Sequence, residues 1–143
     1  MARYPQNSYL ETEVLTADPG KLILLLFDGA IHFLKQGKIY LLEEKHREKG
    51  QGLMRAHAVV SELLHCLNRE KGGDIAIRLQ AIYVYILQRI TDADLKKETG
   101  AIDECVDLLS ELREAWYAIT HKSPEDSIRE LTPETRTEFS ATI

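Results

Sequence analysis

The chain has 143 residues, room for one domain of ordinary size with a buried core. Hydrophobic residues make up 44 % and charged residues 29 %, which suits a soluble globule and excludes a low-complexity or membrane-embedded chain. The net charge is −5, and both signs are mixed along the sequence without a basic stripe. That argues against nucleic acid, whose binding gathers Lys and Arg to neutralise phosphates.

Residues 1–17 show no helical period and contain Pro5, which reads as an extended N-terminal arm. No signal peptide is expected, because this stretch carries Tyr, Glu, Asp and Pro in place of an apolar run. Asp18 reads as an N-cap with Pro19 at the first helical position, where its missing N–H costs nothing. The first helix runs to about Glu43. Its strictly apolar stretch, residues 22–27, is far shorter than the roughly 20 residues a membrane span needs.

Gly50 and Gly52 blur the start of the second helix, placed near Glu48. Leu53, Ala56, Val60, Leu63 and Leu67 then follow at steps of three and four, a helix-packing seam. Residues 68–73 read as a loop with Asp74 as the next cap. The third helix covers 75–93, with a seam of Ile75, Leu79, Ile82, Ile86 and Ile90. Residues 94–99 link to a fourth helix carrying Ile102, Cys105, Leu109, Leu112, Trp116 and Ile119 at the same steps. Its early Asp103 and Glu104 suit the positive end of the helix dipole.

Four helices with short links predict an all-α, antiparallel four-helix bundle over residues 18–120. Residues 121–143 form a polar C-terminal tail, either disordered or holding short helices begun at Ser123-Pro124-Glu125 and Thr132-Pro133-Glu134. Cys66 and Cys105 are far apart and in no CxxC pattern, so reduced thiols and a cytoplasmic location are expected.

The informative feature is apolar surface left over once the seams are assigned. On the first helix, Leu22, Leu26, Gly29, Phe33 and Tyr40 read as the seam. Ile23, Phe27, Ala30, Leu34 and Leu41 form a flank, with Leu24, Ile31 and Leu42 beyond it. At 100° per residue the apolar arc spans roughly 220°, whereas a surface helix needs a little over about 100°. On the third helix Ile77 and Val84 lie roughly opposite the seam, with Leu87 between them and the core. Val59 and Cys66 flank the seam of the second. Long helices with irregular crossings can bury such extra residues, and so can the arm or the tail. Taken together, however, large contiguous apolar patches on soluble proteins mark partner surfaces. An extended or helical client segment fits such grooves. Ile23, Phe27, Leu34, Val59, Cys66, Ile77, Val84 and Leu87 are therefore the candidate client-contact residues.

Catalytic chemistry finds little support. Glu62/His65 and Glu43/His46 have the Glu-x-x-His spacing of di-iron bundles, but the four seams are apolar and the fourth helix has no such pair. Asp28/His32 reads as a surface pair. Gly72-Gly73 reads as a turn, and Trp116 and the Tyr83/Tyr85 pair as packing residues. The expectation is a non-enzyme without metal or cofactor. A homo-oligomeric helical scaffold and a metal-binding bundle oxidase are the alternatives.

Several stretches carry a resemblance: Tyr9 with Leu15-Thr16-Ala17-Asp18-Pro19, then Leu26-Phe27-Asp28-Gly29-Ala30, Gly72-Gly73-Asp74-Ile75-Ala76, Ile82-Tyr83-Val84-Tyr85 and Leu108-Leu109-Ser110-Glu111-Leu112-Arg113-Glu114-Ala115-Trp116. In this order and spacing, over roughly residues 9–120, the chain resembles the FliS family of flagellar secretion chaperones. The resemblance implies a bundle that holds the C-terminal segment of flagellin, prevents its premature polymerisation and delivers it to the flagellar type III export gate. It further implies that the arm covers a client groove and that Tyr9 docks at the gate. A monomer or weak dimer is expected.

Overall fold

A computed structural model describes residues 19–121 of the chain. They form four α-helices: α1 (Pro19–Leu42), α2 (His46–His65), α3 (Arg69–Lys96) and α4 (Thr99–Thr120). The described residues contain no strand. Each helix packs on its neighbours in chain order, and α4 closes the ring against α1, giving an antiparallel four-helix bundle. The expected arm and tail, Asp18 and Tyr9 lie outside the described residues.

Each helix end has a local cause. After α1, Glu44 adopts the left-handed conformation (φ 59°), and Lys45 N donates to Tyr40 O at 2.9 Å while Glu44 N donates to Leu41 O at 3.1 Å. These are the two bonds of a Schellman end, and they turn the chain into α2. The loop expected at 68–73 is helical instead. The Asn68 side chain accepts from Lys71 N at 3.1 Å and caps a first turn of α3, in place of Asp74. That turn is broken from the rest at Gly73, whose φ 53° and ψ −133° suit only glycine. The link between α3 and α4 is also tighter than 94–99. α3 runs to Lys96, and Lys97 (φ 56°) reverses the chain directly into α4.

The core differs from the expected seams by a rotation of α1. Its buried line is Phe27, Ala30, Leu34, Gly37 and Leu41, again at steps of three and four, while Leu22, Leu26, Gly29, Phe33 and Tyr40 are half-buried. The reason lies at the α1–α2 crossing. A Cβ on Gly37 would sit 2.7 Å from Leu53 Cδ2, and one on Gly52 would sit 3.4 Å from Gly37 Cα. Gly37, lacking a side chain, lets the helix axes approach there, with Gly52 opposite it, and that approach turns the 27–30–34 edge inward. On α3 the buried line is Ala76, Tyr83, Ile86, Ile90 and Ala93, so Ile75, Leu79 and Ile82 lie at its margin. The α2 seam from Leu53 to Leu63 is buried as expected, and so are Ile102, Cys105 and Leu109 on α4.

Candidate functional site

Burial is uneven along the bundle. At the end where α1 and α3 stop and α2 and α4 start, the core side chains are fully enclosed. Polar ties add to them: Lys49 Nζ reaches Asp94 Oδ1 at 2.6 Å and Asp94 O at 3.0 Å, and Lys38 Nζ reaches Asp103 Oδ1 at 2.7 Å. At the opposite end Ile23, Leu67, Ile75, Leu79, Leu112, Trp116 and Ile119 remain half-exposed.

There the four helices frame an apolar cavity of about 810 Å³. Its walls are Leu22, Ile23 and Phe27 from α1; Leu63, Cys66 and Leu67 at the end of α2; Ile75, Leu79 and Tyr83 from α3; and Leu112, Trp116 and Ile119 from α4. No charged side chain stands in the wall. Burial pushes the Tyr83 hydroxyl well above its ordinary range, and desolvation, then the nearby Glu62 carboxylate, push the Cys66 thiol up. The titratable groups of the wall thus stay neutral, and the surface offers oily contact with few polar anchors. Trp116 Nε1 donates to Gly20 O at 3.0 Å and ties the start of α1 to the last turns of α4 at the rim.

A second apolar surface lies on the outer face of α3, where Ile77, Gln80, Ala81, Val84, Tyr85 and Gln88 line a groove of about 420 Å³. Ile77 is 62 % and Val84 38 % exposed. The groove's rim is held by Tyr85, whose hydroxyl donates to Glu104 at 2.9 Å; Glu104 also accepts from Arg89 Nε at 2.8 Å.

The eight candidate contact residues therefore separate. Ile23, Phe27 and Cys66 stand in the cavity wall, and Ile77 and Val84 in the outer groove. Val59 and Leu87 are half-buried and pack on the core. Leu34, at 0 % exposure, is enclosed. The rotation of α1 places it in the packed interior, so it offers nothing to a partner while the bundle is closed. Sequence reasoning missed Leu22, Leu67, Leu79 and Trp116 as surface. All four sit at helix-packing spacing; Leu22, Leu67 and Trp116 lie near helix termini, and nothing in the sequence marks Leu79 as exposed.

Among the described residues, no three His, Cys, Asp or Glu side chains gather in a way that could hold a metal ion. Asp28 faces Arg113 Nε at 2.6 Å, and His65 Nδ1 lies 2.7 Å from the Ser61 carbonyl. No helix among them is long and apolar enough to cross a membrane.

A family model described as flagellar protein FliS matches residues 1–123. The chain belongs to the FliS family. It is 37 % identical over 121 residues to the flagellar secretion chaperone FliS of Salmonella typhimurium, covering 84 % of this chain and 89 % of the relative. The flagellar secretion chaperone FliSB of Pseudomonas aeruginosa is 33 % identical over 121 residues, 85 % of this chain and 95 % of its own. The FliS of Bacillus subtilis is 29 % identical over 122 residues, 85 % of this chain and 90 % of its own. The cavity and the outer groove both lie inside the matched region, so these are surfaces of a FliS-family bundle.

Proposed function

We propose that this FliS-family protein is a non-catalytic cytoplasmic chaperone that holds the C-terminal segment of flagellin and brings it to the flagellar export gate, with Tyr9 as the docking residue. The observation that carries the reading is the uncharged cavity framed by all four helices. The described helices leave this apolar wall uncovered, and an amphipathic partner segment would cover it. The α3 groove gives the same segment a second anchor. Amphipathic flagellin termini self-associate through their apolar faces, and covering those faces blocks premature polymerisation. Ordering the segment as it binds offsets part of the contact energy and keeps the complex releasable.

The test is calorimetric titration of a flagellin C-terminal peptide into the parent chain and into an Ile77→Asp/Val84→Asp variant. Both side chains are exposed, so helicity should be unchanged while affinity falls at least tenfold. Parent-like binding by the folded variant would remove the outer groove from the site. Absence of binding to the parent chain would sink the reading. A dimer that sediments stably and survives excess peptide would favour a homo-oligomeric scaffold instead.

A further inference from the structure

Resting on the cavity as the client site, we propose that the Tyr83 hydroxyl is its polar recognition point, donating to a neutral side-chain oxygen of the client: an Asn, Gln, Ser or Thr set within the segment's apolar face. The other polar side chains of the wall are already bonded within the bundle. Asn68 Oδ1 accepts from Lys71 N at 3.1 Å, Trp116 Nε1 donates to Gly20 O at 3.0 Å, and Thr120 Oγ1 donates to Trp116 O at 3.1 Å. Cys66 brings a thiol, a weak donor. Tyr83 differs. It is only 4 % exposed, yet its hydroxyl has no hydrogen-bond partner among the described residues. The hydroxyl lies within electrostatic reach of Cys66, itself part of the wall, so it stands on the cavity side of α3. Tyr85, two residues on, makes the contrast: its hydroxyl, on the outer face, donates to Glu104 at 2.9 Å.

The Tyr83 ring belongs to the hydrophobic core, and a phenylalanine would pack there as well. The hydroxyl is surplus to packing, and a buried polar group without a partner costs free energy, so its place in the wall calls for a use. Water can serve it while the cavity is open. An occupant that displaces that water has to replace the bond or leave the hydroxyl stranded, which penalises a purely aliphatic face. A carboxylate is penalised in another way, because the wall holds no charged side chain to offset its desolvation. A neutral amide or hydroxyl oxygen meets both conditions. Burial keeps the phenol protonated, so it acts as the donor. Oily contact distinguishes one apolar segment from another only weakly, whereas a buried donor rejects a segment that brings it no acceptor. The apolar wall thus supplies affinity, and Tyr83 supplies selection and fixes the register in which the segment lies.

Tyr83→Phe in the full-length chain removes one oxygen and keeps the ring. Thermal melts of the free chain and calorimetric titration with a flagellin C-terminal peptide read the effect. The free variant is expected to melt at or above the parent's temperature, because the lost hydroxyl had no partner within the chain. Its affinity for the peptide is expected to fall about fivefold or more, since the client's acceptor is then left stranded. Replacing the peptide's Asn, Gln, Ser and Thr residues singly by Ala should locate one whose loss weakens binding to the parent by a similar factor and leaves binding to Tyr83→Phe unchanged. A free variant melting more than about 4 °C below the parent would show the hydroxyl bonded within the chain and overturn the proposal. Equal peptide affinity of parent and variant would overturn it as well, with the client reading intact. Weaker binding by Tyr83→Phe with no coupled peptide residue would put the acceptor on the client's backbone and overturn the assignment to a side chain. A peptide that binds neither chain sinks the client reading and this anchor with it.

Discussion

Leu34 and Ile77 both stood out in the sequence as apolar residues with no obvious partner, and the structure sends them to opposite fates. Leu34 is enclosed, so Leu34→Ala should leave a cavity and destabilise the bundle by about 2–5 kcal/mol, read from urea midpoints. Ile77→Asp, on an open face, should stay within about 0.5 kcal/mol of the parent. A second residue-scale expectation concerns acid. The Arg89 guanidinium first, and the Tyr85 hydroxyl second, hold the Glu104 carboxyl below its ordinary value of 4.5. A depressed folded value means stability that is present above the ordinary glutamate range and lost as pH falls through the folded value. The melting-temperature advantage of the parent over Glu104→Gln should therefore shrink between about pH 5 and pH 3. A constant gap across that window would show that the Arg89–Glu104 contact contributes nothing. The two thiols differ as well: burial pushes Cys105 up to about 12, so it stays protonated and inert, while Cys66 is exposed to reagents.

At the scale of the helix, the α1–α2 crossing sets the architecture. Gly37→Ala gains about 1 kcal/mol of helix propensity but drives a methyl into enclosed Leu53, at about 1–3 kcal/mol, so a net loss is expected in thermal melts. Gly52→Ala meets Gly37 at ordinary contact distance and should be neutral or slightly stabilising. This crossing also explains what the sequence could and could not reveal. The steps of three and four made the helices and their antiparallel order legible, and on α2 the buried residues from Leu53 to Leu63, since that seam competed there only with the short Val59 and Cys66 flank. On α1 three stripes competed. Hydropathy ranks Leu22 and Leu26 with Phe27 and Leu34, and only the close approach at Gly37, a property of two helices at once, chooses between them. Gly73 is a similar case. Gly72-Gly73 announces a turn, but that Asn68 would cap a helical turn ahead of it depends on how α2 hands the chain over. Of the cavity wall only Ile23, Phe27 and Cys66 were legible as surplus apolar surface; the seam residues around them were not, because periodicity says nothing of whether four seams converge or part at one end.

The molecule as a whole is asymmetric from end to end. Gly37, Gly52 and the Lys49–Asp94 and Lys38–Asp103 pairs close one end. At the other end the Trp116–Gly20 bond is a polar tie across the rim, and half-exposed Leu, Ile and Trp side chains make up the rest. Local opening should start there, and backbone amides near Ile75 and Ile119 should exchange hydrogen faster than those near Leu53 and Ile102. The apolar cavity, read as the client site, has a thermodynamic corollary. A fold whose interior is completed by another molecule takes part of its own stability from that molecule, by mass action. At a flagellin peptide concentration a hundred times Kd, the bundle should gain about 2.7 kcal/mol, and its melting temperature should climb with the logarithm of peptide added. With flagellin as the proposed client, heat resistance becomes a gauge of how much unassembled filament subunit surrounds the protein.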